Sequence, residues 1–206
     1  MTLNDIRELA QKATVTNENF NKKRINDFDI NQTGMPSRYY DASFEAYPIP
    51  IVDTFRNFCL HGTGVFVIEG SNGTGKTYEA CASINERIKN GMTGGYYFSC
   101  KYTVCPMVRS SRSFSTKENE IELIKRITRM PYVIFDEVGK GDDGNIEKTF
   151  LTNVISARYD FVKPTVLISN MTMVELCEWL GQDINSRFHE TATVVTLDGK
   201  DNRYGC

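Results

Sequence analysis

Histidine is scarce in this chain, which has only two among its 206 residues. The six cysteines include no CxxC pair, and the nearest two, Cys100 and Cys105, lack a second pair to complete four ligands. This shortage of ligands argues against a zinc site. Several cysteines fall in apolar patterns, where a thiol acts as a small hydrophobic side chain.

The chain also lacks an excess of one charge, because it contains 24 Lys and Arg and 26 Asp and Glu. A formal net charge of -2 excludes a global electrostatic attraction to nucleic acid, so such binding must come from a local cluster or from assembly. A signal peptide and an apolar run of about 18 residues are absent too. We therefore expect a soluble protein of the reducing cytoplasm, with no membrane contact.

The length suits one α/β domain with a short extension. Residues 1–34 are polar, and we interpret them as an N-terminal arm, with partner binding as one role; residues 35–206 form the domain. Within the arm, Leu3 to Ala13 has a helical pattern, and the basic cluster at 22–24 either touches phosphate or is solvated. Residues 34–48 are rich in aromatics and predict an ordered wrap.

The stretch 65–77, VFVIEGSNGTGKT, has the pattern of a phosphate-binding loop between a strand and a helix. Glycines let backbone N–H groups face phosphates, and the helix N-terminus adds its dipole. Lys76 is predicted to reach the β- and γ-phosphates, and the Thr77 hydroxyl to ligate Mg²⁺. The predicted nucleotide-contacting residues are Gly70, Ser71, Asn72, Gly73, Thr74, Gly75, Lys76, Thr77 and Tyr78.

A second apolar strand, YVIFDE at 132–137, ends in paired carboxylates, which is a Walker B pattern. Asp136 is predicted to hold Mg²⁺, and Glu137 to polarise the attacking water. The later strand at 165–169 ends in Asn170, and in P-loop proteins whose Walker B carries its own glutamate this strand lies between the other two. That order predicts Asn170 beside the γ-phosphate, although asparagine at a strand end is also a common turn residue.

The remaining periodicity predicts further elements. Four helices are expected, from about Ile51 to His61, at 78–90, at about 117–129 and from the capping box Thr172–Glu175 to Gly181. Strands are expected at 96–99 and 191–197, and a hairpin turn at 198–199. One strand and two helices are thus expected between the loop and the acids. The segment 101–115 has no clear period and is expected to be irregular.

That segment is the best candidate for nucleic-acid contact. Cations that follow phosphates and aromatic faces that stack on bases are the usual components of single-strand binding, whereas a surface loop with incidental charge is the other interpretation. The candidate residues are Lys101, Tyr102, Arg109, Arg112 and Phe114.

Arg187 follows the strand that ends in Asn170 and a short helix. An arginine so placed often reaches the γ-phosphate of a neighbouring subunit as an arginine finger. The alternative is a surface arginine paired with Asp183 or Glu190.

Together these motifs resemble DnaC-type replicative helicase loaders, especially their short bacteriophage relatives, and the similar IstB-type transposition ATPases of the AAA+ class. The segments that carry the resemblance run from Gly34 to the end and are MPSRYYDASF, GSNGTGKT, VIFDEVG, TVLISNMTMVELCEWLG and NSRF.

The resemblance implies a P-loop NTPase fold with a five-stranded, mainly parallel sheet in the order 5-1-4-3-2 and helices on both faces. It implies an Mg²⁺-dependent ATPase of a bacterial or phage-infected cell that assembles on single-stranded DNA beside a ring helicase. Catalytic roles then fall to Lys76, Glu137, Asn170 and Arg187, the last acting across a self-association interface. Arg203 lies near the position of a second sensor arginine.

Three other functions stay open. A transposition helper would share the core but bind duplex DNA and a transposase. A P-loop kinase would use Asp136 or Glu137 as base and need an arginine-rich lid, which Arg109 and Arg112 could supply. A binding module would hold ATP without hydrolysing it, against which the intact Glu137 argues.

Overall fold

The computed structural model of the chain describes residues 30–46, 52–92, 95–113, 118–141 and 144–198. Several predictions therefore lie outside the described residues. These are the helix at 3–13, the basic cluster at 22–24, DNA contact by Phe114, the turn residue Gly199 and the second sensor Arg203.

Five strands form one sheet: β1 (Val65–Glu69), β2 (Tyr96–Ser99), β3 (Val133–Val138), β4 (Thr165–Ser169) and β5 (Ala192–Thr196). Their order across the sheet is β2-β3-β4-β1-β5, and every pair is parallel. The predicted order 5-1-4-3-2 is the same order read from the opposite edge, so it is confirmed. As predicted, β4 lies between β1 and β3, which aligns the carboxyl ends of these strands at one edge.

Within the described ranges, seven α-helices cover the two faces of this sheet: α1 (Val52–His61), α2 (Lys76–Lys89), α3 (Cys105–Ser111), α4 (Glu120–Arg129), α5 (Gly144–Asp160), α6 (Met173–Leu180) and α7 (Gln182–Thr191). Strand β1 illustrates why both faces are needed, since Phe66 packs in the core under α1 and α2 whereas Val67 packs under α3 to α7. Such strands, buried on both faces, are nearly continuous apolar runs.

The expectation of an irregular segment at 101–115 was wrong for its described part. Residues Cys100–Val104 form a π-helix, and α3 follows directly. Val104, Cys105 and Val108 are buried at helical spacing, and a proline is tolerated in the first turn. The interval between the loop and the acids therefore contains three α-helices, not two.

The long helix α5 had no counterpart among the predicted elements. Its buried residues Phe150, Leu151, Val154 and Ile155 recur with the spacing of a helix face. The predicted capping box at the start of α6 is confirmed, because Thr172 Oγ1 accepts from the N–H of Glu175 at 3.3 Å and Glu175 Oε2 accepts from the N–H of Thr172 at 2.7 Å.

The predicted ordered wrap is also confirmed over its described residues. It contains a 3₁₀ turn at Ser37–Tyr39, and a further 3₁₀ turn at Ile30–Thr33 precedes it. Phe44 is buried, with its ring 5.6 Å from that of Phe55 in α1. Thr33 and Met35 are both buried, one on each side of the proposed boundary between arm and domain at residue 34, and that boundary stays a proposal.

Candidate nucleotide-binding site

The phosphate-binding loop joins β1 to α2. Gly70 has a φ of 137°, and a Cβ there would collide with the carbonyl of Leu197, so the chain turn requires glycine. Helix α2 begins at Lys76, with Gly75 as its N-cap at φ 94°. The loop therefore leads into the unpaired N–H groups of a helix N-terminus, which favour an anion.

Lys76 is buried within this loop. Its Nζ donates to the carbonyl oxygen of Gly70 at 2.7 Å and to that of Ser71 at 2.5 Å. The ammonium group is thus held beside the loop backbone, where a phosphate would accept its hydrogen bonds.

Asp136 connects the loop to β3. Its Oδ2 accepts from the hydroxyl of Thr77 at 2.7 Å and from that of Tyr97 at 2.7 Å. Burial raises the pKa of the Asp136 carboxyl, and the hydrogen bonds from Tyr97 and Thr77 oppose that shift. The two predicted metal residues, Thr77 and Asp136, are therefore in direct contact.

These residues fit a magnesium ion. The described ranges hold no group of three or more His, Cys, Asp or Glu placed to bind a metal. Mg²⁺ does not need such a group, because it is usually held by one or two carboxylates, a substrate phosphate and water. The hydroxyl of Thr77 and the buried carboxylate of Asp136 are that kind of donor set.

Glu137 follows Asp136 at an irregularity in the pairing of β3 with β4, which falls between Phe135 and Val138. Its φ of 61° places it in the left-handed region, which is strained for a residue with a Cβ. Its Oε2 accepts from the hydroxyl of Ser99 at 2.8 Å, and Ser99 Oγ accepts from the N–H of Tyr102 at 3.2 Å. The proposed base is thereby linked to the start of the π-helix.

Asn170 follows β4, which lies between the strand of the acids, β3, and the strand that leads into the loop, β1. Its Nδ2 donates to Oδ1 of Asn72 at 2.8 Å, and Nζ of Lys140 donates to the same oxygen at 3.0 Å. The strand-end position of Asn170 thus brings it to the loop that was predicted to hold phosphate. Sequence reasoning missed Lys140, which lies in the turn after β3.

These groups share one cleft of about 540 Å³. Its lining contains most of the predicted site and six residues that sequence reasoning did not assign to it. The predicted residues are Asn72, Gly73, Thr74, Gly75, Lys76, Thr77, Tyr78, Asp136, Glu137 and Asn170, and the unassigned ones are Arg38, Tyr39, Glu79, Lys140, Ile168 and Ser169.

One side of the cleft is formed by residues 37–43, which we call the amino-terminal wall. Nδ2 of Asn85 in α2 donates to the carbonyls of Tyr40 and Ala42 at 3.0 and 2.8 Å. The ring of Tyr39 meets that of Tyr78 edge to face at 6.3 Å. Arg38 and Tyr39 lie within the segment MPSRYYDASF, so the signal for this wall was present in the sequence.

Glu79 lies in the first turn of α2 and is only 3% exposed. Its Oε2 has no hydrogen-bond partner among the described residues. Burial raises the pKa of Glu79 to about 7. A buried and unpaired carboxyl in the lining of a cleft is costly for the fold, and its neighbours alone do not explain it.

Arg187 does not line the cleft of its own chain. Its Nη1 donates to the backbone carbonyl of Asp183 at 2.9 Å, and its guanidinium lies 5.4 Å from the ring centre of Tyr159. The alternative pairing with the side chain of Asp183 or Glu190 does not occur among the described residues. The role in a neighbouring subunit stays a prediction.

The described DNA-contact candidates differ in whether the side chain is exposed or is bonded to a carboxylate. Tyr102 is 72% exposed, and Nζ of Lys101 lies 5.5 Å from its ring centre. Arg109 is exposed on α3. Arg112 instead donates from Nε and Nη2 to the carboxylate of Glu120 at 2.6 and 3.0 Å, so a phosphate would have to compete for it.

Comparisons with known proteins agree with this arrangement. The family described as IstB-like ATP binding protein matches residues 2–199. The replicative helicase loader DnaC of Escherichia coli strain K12 is 23% identical over 186 residues, which cover 86% of this chain and 74% of that protein. The predicted likeness to DnaC-type and IstB-type proteins is therefore confirmed.

Two solved structures carry the same fold. The crystal structure of the DnaC helicase loader has a TM-score of 0.64 and 19% identity, over 79% of this chain and 100% of that chain. The replication initiator DnaA bound to AMPPCP and single-stranded DNA also has a TM-score of 0.64, with 18% identity, over 81% of this chain and 51% of that chain. The predicted AAA+ P-loop fold is confirmed.

None of the helices in the described ranges is long and apolar enough to cross a bilayer. The family match extends over nearly the whole sequence and agrees with the phosphate-binding loop, the sheet order and the cleft. The chain belongs to the family of IstB-like ATP-binding proteins.

Proposed function

We propose that this protein is an ATP-dependent helicase loader that assembles with single-stranded DNA and a replicative ring helicase during DNA replication. The observation that carries the proposal is the cleft in which Lys76 and Thr77 meet Asp136 and Glu137. The likeness to the replicative helicase loader DnaC supports the choice of partner.

ATP, bound together with Mg²⁺, would supply the phosphoryl group that is transferred to water. Thr77 and Asp136 would hold the metal, and Lys76 would exchange its bonds to loop carbonyls for bonds to phosphate. Glu137 would accept a proton from the attacking water, and Asn170 would orient the γ-phosphate. Binding is the assembly signal in this scheme, and hydrolysis is the release step.

Arg187 would complete this site in the neighbouring subunit. Its absence from the cleft of its own chain and its partial exposure support a role in trans. The contacts that hold it are a backbone carbonyl and a ring face, which cost less to give up than a carboxylate partner.

Single-stranded DNA would bind along the π-helix and α3. The exposed ring of Tyr102 could stack on a base while Lys101 and Arg109 follow the phosphates. The bonds from Tyr102 to Ser99 and from Ser99 to Glu137 would connect that contact to the ATPase centre. The fold match to DnaA bound to single-stranded DNA supports this choice of ligand.

The direct test measures complex size in solution. We expect the protein to form an assembly with a replicative ring helicase when ATP and single-stranded DNA are present, and not when ATP is omitted. Lys76→Ala should remain unassembled under the same conditions. Assembly that ignores ATP, or no association with any replicative helicase, would contradict the proposal.

A transposition helper is a second candidate, because the matching family is described as IstB-like. It should prefer duplex over single-stranded DNA and retain a transposase, not a helicase, in a pull-down. The kinase alternative is weakened because neither Arg109 nor Arg112, the two candidates for its arginine-rich lid, lines the cleft. ADP formation that responds to single-stranded DNA would exclude a kinase.

A further inference from the structure

Glu79 is a buried ionisable group of the cleft to which the proposed ATPase chemistry gives no task. It is buried at 3% exposure, it lines the cleft, and its Oε2 is unpaired among the described residues. Above its raised pKa of about 7 the side chain is a carboxylate, which accepts hydrogen bonds and donates none. The site therefore has a buried acceptor that requires a donor from outside the described residues.

The position of Glu79 indicates which part of a nucleotide would meet it. Phosphates would lie on the loop at 70–77, with the γ-phosphate toward Asp136 and Asn170. The nucleoside would then extend to the opposite side, which the amino-terminal wall and Tyr78 form. Glu79 lines the cleft and follows Tyr78 directly in α2, and the ring of Tyr78 contacts that of Tyr39, so we assign Glu79 to that side.

We propose that Glu79 recognises the nucleoside of the bound nucleotide, its carboxylate accepting a hydrogen bond from a ribose hydroxyl or from the 6-amino group of adenine. This inference rests on the proposed nucleotide site and adds a residue that determines specificity. The aromatic rings of Tyr39 and Tyr78 provide the apolar faces, and Glu79 provides the polar contact that fixes orientation.

Glu86 is the matched control on the same helix. It lies two turns further along α2, outside the cleft lining, and its Oε1 lies 3.5 Å from Nε of Arg56. A substitution there removes the same group from the same helix without touching the proposed contact.

The test is equilibrium binding by calorimetry on the full chain without Mg²⁺, so that no hydrolysis occurs. The ligands are ATP, 2′-deoxy-ATP, 3′-deoxy-ATP and purine riboside triphosphate, which lacks the 6-amino group. We expect wild type to bind one of these analogues about 10-fold more weakly than ATP, as the loss of a hydrogen bond to a charged group predicts.

Glu79→Leu should bind ATP and that analogue equally, whereas Glu86→Leu should keep the wild-type ratio. Which analogue loses affinity distinguishes the ribose from the base. If Glu79→Leu does not fold, Glu79→Gln, which keeps the shape and removes the charge, should show a smaller ratio than wild type.

An unchanged ratio in the folded Glu79 variant, or a wild type that binds every analogue as well as ATP, would overturn this inference and leave the proposed function intact. A wild type that binds no ATP would instead overturn the proposed function itself, and this inference with it.

Discussion

Two buried ionisable side chains, Arg158 and Glu79, differ in how far the surrounding protein satisfies their hydrogen bonds. Arg158 is fully buried in α5, and all three of its guanidinium nitrogens donate hydrogen bonds. Glu79 is almost as deeply buried, but one carboxylate oxygen lacks a partner among the described residues.

The acceptors of Arg158 explain its role. They are the carbonyls of Ile127, Met130 and Pro164 at 2.7 to 2.8 Å and the hydroxyl of Thr165 at 2.8 Å. The guanidinium thus joins the end of α4 to the start of β4, at the amino ends of the strands. There the buried guanidinium is satisfied by the protein's own atoms.

At the carboxyl ends of the strands, several groups are strained, or are bonded where a ligand would replace their partners, or lack a partner. Glu137 is held at a φ of 61°, Lys76 is bonded to loop carbonyls, and Glu79 keeps an unpaired oxygen. A bound ligand can compensate for such groups. The amino edge has one strained residue and one unpaired atom as well, Val162 at a φ of 53° and the buried Oγ1 of Thr128. Arg158 and the cleft residues nevertheless lie at opposite edges of one sheet, so substitutions at the two places should have separable effects.

The largest effect is expected at Arg158. Arg158→Met would leave several buried carbonyls unpaired and should lower the free energy of unfolding by about 4 kcal/mol. Urea unfolding measures this loss, and Arg158→Lys should restore little of it because lysine lacks the planar fork. The folded fraction should bind ATP with wild-type affinity; a small loss of stability would contradict the comparison.

Glu137→Gln should have the reverse result. Without the base, the rate of ATP hydrolysis should fall about 100-fold, while ATP affinity and the free energy of unfolding stay near wild type. Steady-state ADP release and urea unfolding check the two parts. An unaltered slow rate would indicate a module that binds ATP without turning it over.

The effect of replacing Asn85 should lie between these two, because Asn85 is a structural residue that also supports one side of the cleft. Asn85→Ala would unpair the carbonyls of Tyr40 and Ala42 and should cost about 2 kcal/mol of stability. ATP affinity should fall a few fold as the amino-terminal wall loosens, with hydrolysis of bound ATP unchanged. An unchanged affinity would remove the wall from the nucleotide site.

The sequence predicted those parts of the site whose residues belong to short motifs, and it did not predict contacts between distant segments. The loop at 70–77, the acids at 136–137 and Asn170 each follow a strand, and parallel strands bring such ends together, so their meeting was predictable. Glu79 was not identified, because its burial and the unpaired state of its Oε2 are set by tertiary packing and not by a local pattern. Arg158 depends on carbonyls of α4 and the segment before β4, contacts that no local pattern reveals.

The helices α3 and α5 were missed for a different reason. Their buried residues have helical spacing, but α3 is short and follows a π-helix, which disturbs the period of 3.6 residues. Helix α5 has little contrast between its faces, since the charged residues Glu147 and Arg158 are buried on the same face as its apolar residues. Tertiary packing decided both.

The smallest effect is expected for DNA binding. Arg109→Ala should weaken single-strand affinity and reduce the slope of log affinity against log salt by about 0.7, the value for one phosphate contact. Arg112→Ala should change that slope less, because Arg112 is paired with Glu120. Titrations at several salt concentrations check this, and equal slopes for both variants and wild type would remove α3 from the DNA site.

The central claim is that the cleft is half of an ATPase site whose other half comes from the next subunit. Measuring ATP hydrolysis in a mixture of Arg187→Ala and Lys76→Ala subunits tests it most directly. Each variant alone should be inactive, and the mixture should regain part of the wild-type rate, because an intact loop from one subunit can meet an intact arginine from the other. No recovery, although the two variants are shown to co-assemble in the mixture through the ATP-binding Arg187→Ala subunit, would contradict the account.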